Sequence, residues 1–369
     1  MKFLTFRKNP IVFVFFLFLA YSGFAQTTTP TPLISEEDQV IKVDSRLVVV
    51  PVSVVNANGE PVLGLKAQDF LIAEENRRQT VDNVGDAEKV PLEIALLIDV
   101  SGSVNPLFEF EKRAAAQFLE SVMRPDDRAT IFLIGDKPVL AHPRDTAAQA
   151  AERIQSVTLS GKFTAFYDTV AAASKYLQQS APVKSRRVIL ALTDGEDNWS
   201  SLTRDAETAT YRNVEVNKLT LETRNQLAAK TDSAHKNAQK SILRGLQDAD
   251  TVFYVINPAG ASYKLNKIST RAQNGLQSFA DETGGTAFLP QFNPVDTKDQ
   301  LQNSTNSRRN GETLEKIFRQ IANELRAQYL VQYYSESDFP QNKFVKLNVA
   351  LQNPANFRVR ARQGYYVKN

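Results

Sequence analysis

Cysteine is absent from the 369 residues, and histidine occurs only at His142 and His235. The first absence excludes disulfides, thiolate metal sites, cysteine nucleophiles and a lipidated N-terminal cysteine, so stability must come from burial. The second leaves a zinc hydrolase or a histidine-based triad with two residues far apart, neither in a recognisable motif. Both read as ordinary surface or loop residues. Excess charge of one sign is also missing: 44 basic residues stand against 41 acidic ones, and Lys2, Arg7 and Lys8 lie at the very start. The one long apolar run, IVFVFFLFLA, follows them and is shorter than the roughly 20 residues that span a bilayer. With Ser22-Gly23-Phe24-Ala25 behind it, the layout is that of a signal peptide over residues 1–25. The alternative is an uncleaved membrane anchor. Cleavage after Ala25 would leave a neutral chain with no stable membrane span and no electrostatic reason to bind nucleic acid. The expected location is periplasmic or secreted.

What is present is an ordinary globular composition, 42% hydrophobic and 23% charged, with room for two cores. After a Thr/Pro-rich linker (26–39), residues 40–88 are rich in Val and broken by Asn56-Ala57-Asn58-Gly59 and by Gly64, which predicts short antiparallel strands. The end of the chain, 327–369, reads the same way: AQYLVQYYS, KFVKLNVALQ and FRVRARQGYYV, each a strand. Neither block has enough strands to bury two faces, so the two are expected to pair as one β-sandwich.

Between them, over 90–325, the pattern changes. LEIALLID (92–99), ATIFLIG (129–135), RVILALTD (187–194) and TVFYVIN (251–257) are short, continuously apolar and β-branched, as a strand covered on both faces requires. Helical stretches alternate with them. Asn105-Pro106 makes a helix start, followed at helical spacing by Leu107, Phe110, Ala114, Phe118 and Val122; DTAAQAAERIQSV and YDTVAAASKYLQQ obey the same rule. The fold class is therefore α/β, a Rossmann-like, doubly wound, mostly parallel sheet flanked by the sandwich. Ligands of such sheets sit outside the carboxyl ends of the strands. There the first strand runs into Asp99-Val100-Ser101-Gly102-Ser103, Thr164 precedes a helix, and Asp194 closes another strand. Each alone is also explained by capping or turn formation.

Together, DVSGS (99–103), TAFYD (164–168) and LTDG (192–195) resemble the von Willebrand factor A domain family, in the family's order. Among its members the chain looks most like the acidobacterial-type bacterial proteins, because GEPVLGLKAQDFLIAEE (59–75), SFADETGGTAFLP (278–290) and VRARQGYYV (359–367) also fit. The resemblance implies a metal-ion-dependent adhesion site, in which Asp99, Ser101, Ser103, Thr164 and Asp194 hold one divalent cation. Hard oxygen donors suit Mg²⁺, with Mn²⁺ or Ca²⁺ as alternatives. Three hydroxyls and two carboxylates would leave the metal electron-poor, ready for an acidic side chain of a protein partner. The sequence departs from the family at Lys162 and Phe163, where small residues are usual; with Trp199, the only tryptophan, they are candidate partner contacts. Asp168, Glu196 and Asp197 lie beside the motifs, as tuning groups or as solvated loop acids. The family pattern does not account for about 200–246, a polar, helix-prone insertion with Leu219, Leu227, Ala234, Ala238, Ile242 and Leu246 as a loose apolar face.

These features favour an exported, non-enzymatic binding protein that captures a ligand through its metal. The alternatives are an assembly subunit of a cell-envelope complex and a metal-assisted hydrolase; no general base accompanies the motif to support the latter.

Overall fold

The structure, a computed structural model, describes residues 46–101, 108–161, 163–212, 214–215, 219–258, 266–354 and 356–368. The signal peptide and linker expected over residues 1–39 lie outside these, as do Ser103, Lys162 and the helix start at Asn105-Pro106.

Four strands come first, β1 (Arg46–Val55), β2 (Phe70–Glu74), β3 (Arg77–Gln79) and β4 (Asn83–Asp86). An alternating region follows: β5 (Leu92–Asp99), α1 (Phe108–Val122), β6 (Arg128–Ile134), β7 (Pro138–Asp145), α2 (Ala147–Gln155), α3 (Phe166–Ser180) and β8 (Arg186–Leu192). It continues through α4 (Ser201–Tyr211), α5 (Leu221–Asp248), β9 (Thr251–Ile256), α6 (Lys267–Thr283), β10 (Ala287–Phe288) and α7 (Gln300–Arg326). The chain closes with β11 (Tyr329–Ser335), β12 (Phe344–Leu351), β13 (Arg358–Ala361) and β14 (Gly364–Tyr366).

The central sheet has the order β10-β9-β8-β5-β6-β7. All its neighbours are parallel except β6 and β7, which pair antiparallel at the edge. Its middle strand shows why the apolar runs are unbroken. Along β5, Leu92, Ile94, Leu96 and Ile98 enter a core shared with α1, α2 and α7, while Ala95 and Leu97 enter a second core shared with α3, α5 and α6. With helices on both faces, both sets of alternate side chains are buried and nearly all are apolar; the exception, Glu93, is buried and paired with Arg144 Nη2 at 2.7 Å. The edge strand β7 was not expected, because Pro138 and Pro143 suppress the strand signal; proline is tolerated at an edge, where one side of the ladder is open.

The strands from the two ends of the chain combine. One sheet runs β13-β1-β11-β4 and another β14-β12-β2-β3, and Val50, Val52, Ile72, Val331, Tyr333 and Val345 lie in one apolar core between them. FRVRARQGYYV, read as a single strand, is two. Its first half pairs with β1 and its second with β12; between them the Gln363 N–H turns aside to the Glu282 carbonyl, 3.1 Å away. Among the described residues, the core of the sandwich carries one carboxylate. Glu74, fully buried, accepts hydrogen bonds from Tyr333 Oη (2.6 Å), Tyr365 Oη (2.7 Å) and Ser335 Oγ (2.8 Å).

The insertion resolves into α4 and the first half of α5. The second half of α5 is the crossover helix from β8 to β9, and Ala238, Ile242 and Leu246 belong to the core beneath it. His235 lies on this helix and is buried, not exposed; its Nε2 is 3.0 Å from Glu207 Oε1 on α4. His142 is half-buried on the edge strand β7, with its Nδ1 2.7 Å from Arg153 Nη1.

Candidate metal centre

Asp99 is the last residue of β5, where the fully buried run meets the sheet edge. Its Oδ1 accepts the Ser101 N–H (3.0 Å) and the Ser101 hydroxyl (2.5 Å), a tight side-chain turn that aims both residues outward. Its Oδ2 accepts the Thr193 hydroxyl at 2.7 Å. Thr193 follows β8, and its oxygen also receives the Gly195 N–H (3.1 Å). One hydroxyl therefore ties the loop after β5 to the loop that carries Asp194. Gly195 completes that loop with φ +75°, and a Cβ there would lie 2.7 Å from Leu276 Cγ, so both conformation and space demand glycine.

Thr164 is buried and held between the other two loops. Its N–H donates to Asn198 Oδ1 (2.8 Å), and its carbonyl accepts the Asn198 and Trp199 N–H groups (3.1 Å each). The next residue, Ala165, donates its N–H to the Gly135 carbonyl just past β6 (2.6 Å), and upstream the Ser160 N–H reaches the Val100 carbonyl (2.8 Å). The loops bearing Asp99, Ser101, Thr164 and Asp194 are thus cross-bonded at the carboxyl edge of the sheet.

The same loops cap the neighbouring helices. Helix α3 has Ala165 at its N-cap, with no side-chain oxygen to offer. Its free N–H groups are met instead from the Asp194 loop: Tyr167 N–H by Asp197 Oδ1 (3.2 Å) and Asp168 N–H by Ser200 Oγ (3.0 Å). Asp168 in turn accepts the Ser201 N–H (2.8 Å) at the start of α4. Asp197 is buried rather than solvated and also takes the hydroxyls of Ser200 (2.5 Å) and Thr203 (2.8 Å). Glu196 accepts the Ser269 hydroxyl of α6 at 2.5 Å.

Burial raises three aspartates at this edge, Asp99, Asp194 and Asp197, the last against hydrogen bonds from Ser200 and Thr203 that lower it. Burial pushes the Asp99 carboxyl up, against hydrogen bonds from Ser101 and Thr193 that lower it. Burial likewise pushes Asp194 up to about 6, and the charges of Asp99 and Glu196 add to the rise. Among the described residues neither Asp99 nor Asp194 has a Lys, Arg or His partner. Two neighbouring carboxylates drawn partly out of water, flanked by hydroxyls and without a cation partner among the described residues, are the donor chemistry of a hard divalent ion. No group of three or more His, Cys, Asp or Glu side chains of metal-site type occurs among the described residues, so a metal here would depend on Ser and Thr oxygens.

Residues 94–196 match the family model described as the von Willebrand factor type A domain. The chain carries a von Willebrand factor type A domain. No match was found among curated proteins. Among solved structures, the chain is similar to an aerotolerance-related membrane protein from Bacteroides fragilis (16% identity, 63% of this chain and 98% of that one, TM-score 0.37). It is similar to a von Willebrand factor type A protein from Catenulispora acidiphila (15%, 74% and 51%, 0.38). It is also similar to proximal thread matrix protein 1 from the mussel byssus, with a zinc-occupied MIDAS motif (14%, 68% and 49%, 0.38).

Beside the A domain's aspartates lies an aromatic step. Phe163, 53% exposed, stacks on Trp199 with ring centroids 4.2 Å apart and planes 7° from parallel. The Arg204 guanidinium lies 5.3 Å from the centroid of the Trp199 ring. Of the expected partner contacts, the structure brings these two together. Thr193 and Asn198 had no role assigned from sequence. Thr193 stands directly before Asp194 in LTDG, which was a usable signal; Asn198 gave none.

Proposed function

We propose that this protein is an exported binding protein whose A domain captures an acidic side chain of a protein partner through a divalent cation, Mg²⁺ or else Mn²⁺ or Ca²⁺. Asp99, Ser101, Thr164 and Asp194 would hold the ion, with Ser103 as the fifth donor expected from the sequence. The bound ion supplies an electrophile that accepts a carboxylate. The protein's own groups fix the donors: Thr193 orients Asp99, Asn198 anchors the Thr164 loop, and Phe163 stacked on Trp199 offers an apolar surface beside the site. The observation that carries this reading is that Asp99 and Asp194 lie on loops tied together by the Thr193 hydroxyl and have no Lys, Arg or His partner among the described residues.

The test is a pull-down from envelope and culture extracts in Mg²⁺ and in chelator, comparing wild type with Thr164→Ala. Capture that needs the metal and is lost in the variant supports the proposal. Association that survives chelation points instead to an assembly subunit of an envelope complex. Hydrolytic turnover abolished by Asp194→Ala would replace both with an enzyme.

A further inference from the structure

A second site lies at the opposite end of the A domain. The metal loops follow the carboxyl ends of β5 and β8; the amino ends of β8 and β9 open onto the sandwich. There a cleft of about 620 Å³ runs between the start of β1, the turn before β8 and the end of the chain. Part of its exposed wall is apolar. Leu47 and Val49 of β1 are 48% and 37% exposed and Val183 is 93% exposed, with Leu330 beneath them. Aliphatic side chains in such positions gain from a cover that removes them from water.

Charge at the cleft is one-sided. Arg46, Lys184, Arg186, Arg187, Arg362 and Lys368 line it, and Asp250 is the single acid among the described lining residues. Asp250 is already engaged, accepting from Arg362 Nη1 at 2.5 Å and from Lys368 Nζ; Arg362 also reaches the Val49 carbonyl at 2.9 Å. The remaining four cations have no acid of the cleft to pair with. Arg186, 7% exposed, uses one terminal nitrogen on the Leu325 carbonyl (2.5 Å) and Gln328 Oε1 (3.1 Å). Its other nitrogens, like Nη1 of Arg46 and Nε of Arg187, are buried without a partner. Uncompensated guanidinium groups in a poorly hydrated setting raise the local potential and favour an anion.

We propose that this cleft binds an amphipathic anion, an alkyl or acyl chain ending in a carboxylate or phosphate, with the chain on Leu47, Val49 and Val183 and the head toward Lys184 and Arg187. The volume is within the range of small-molecule sites, and an apolar surface with a few convergent charged groups is their usual make-up. Burial pulls Arg186 down to about 10, and the charge of Arg326 adds to this; a bound anion would relieve that penalty. The site is independent of the proposed metal-dependent function.

Titration calorimetry of the full chain with dodecanoate, dodecyl phosphate and dodecyltrimethylammonium, each below its micellar concentration, tests this. One saturable site for either anion is expected, with the cationic amphiphile at least about tenfold weaker. Whichever anion binds more tightly identifies the head group. The double variant Lys184→Ala/Arg187→Ala should weaken the anion about tenfold or more, and Val183→Asp should do the same from the apolar side. All three positions lie in the turn before β8 or at its start, and circular dichroism is used to check that the variants remain folded. Anion binding should persist in chelator and in Asp194→Ala, which separates it from the metal site. Equal affinity for cation and anion, no saturable site, variants that bind like wild type, or capture of hexaglutamate in place of dodecanoate would each overturn the proposal.

Discussion

Thr193 donates its hydroxyl to Asp99 across 2.7 Å, from the end of one buried strand to the end of its neighbour. The bond fixes one carboxylate of the proposed metal centre in place, and it leaves Oδ1 of Asp99 to Ser101. Thr193→Val keeps the shape and deletes the donor. Losing an orienting hydrogen bond of this kind typically lowers metal affinity about tenfold or more. Calorimetric titration with Mg²⁺ should show that loss in a variant whose far-ultraviolet spectrum is unchanged; equal affinity would exclude an orienting role.

The pH dependence follows from Asp194, which is raised from 3.8 to about 6 by burial and then by neighbouring charge. Between those values the folded chain holds more protons than the unfolded one, so this group makes the metal-free protein less stable as pH rises through the window. Metal needs the ionised form, so affinity grows over the same interval and levels off above it. The increase in melting temperature on adding Mg²⁺ should therefore be small near about pH 5 and large near about pH 7.5. An increment that does not change with pH would contradict the assignment.

Gly195 cannot be replaced without moving the Asp194 loop. Its φ is +75° and an added Cβ would meet Leu276 at 2.7 Å. Gly195→Ala is expected to cost about 2 kcal/mol or more in urea unfolding and to weaken Mg²⁺ binding. In Gly195→Ala/Leu276→Ala the overlap is gone but the strained φ persists, so metal binding should recover only in part. Full recovery would mean that space alone, and not backbone conformation, requires the glycine.

In the sandwich, Glu74 gathers three hydroxyl donors. Burial comes first in lifting the Tyr365 phenol to about 12, and its bond to Glu74 adds to the rise. Glu74→Ala leaves Tyr333, Tyr365 and Ser335 without an acceptor and should cost about 3 kcal/mol or more. Glu74→Gln retains one carbonyl for the two tyrosines and should lose less. If both variants unfold at the wild-type urea midpoint, the buried network contributes nothing to stability.

The buried strands of the A domain are legible in the sequence because both of their faces are covered, which forces an unbroken apolar run such as VILAL (188–192). Asp99 and Asp194 are legible for the opposite reason: each interrupts or ends such a run. Other features leave no such mark. The polar and proline-bearing β7 satisfies an edge, not a core, and the bend at Gln363 depends on a carbonyl from α6. His235 is buried by neighbours on α3 and α4, although its own helix is mostly polar. Asn198, Asp197 and Ser200 work across loops, and no local spacing encodes a partner some thirty residues away in a different turn.

β1 finds its main neighbour beyond the whole α/β region: Arg46 pairs with Ser335 and Val52 with Tyr329. During synthesis β1 precedes this partner and must wait, with its valines uncovered, until β11 has emerged. Pairing over such a separation is entropically costly and slow, whereas the α/β region between is assembled from shorter-range contacts. The A domain is thus expected to form first and bring β1 and β11 together, and a chaperone that shields the waiting strand would speed maturation of the sandwich without altering the rate at which the central sheet appears.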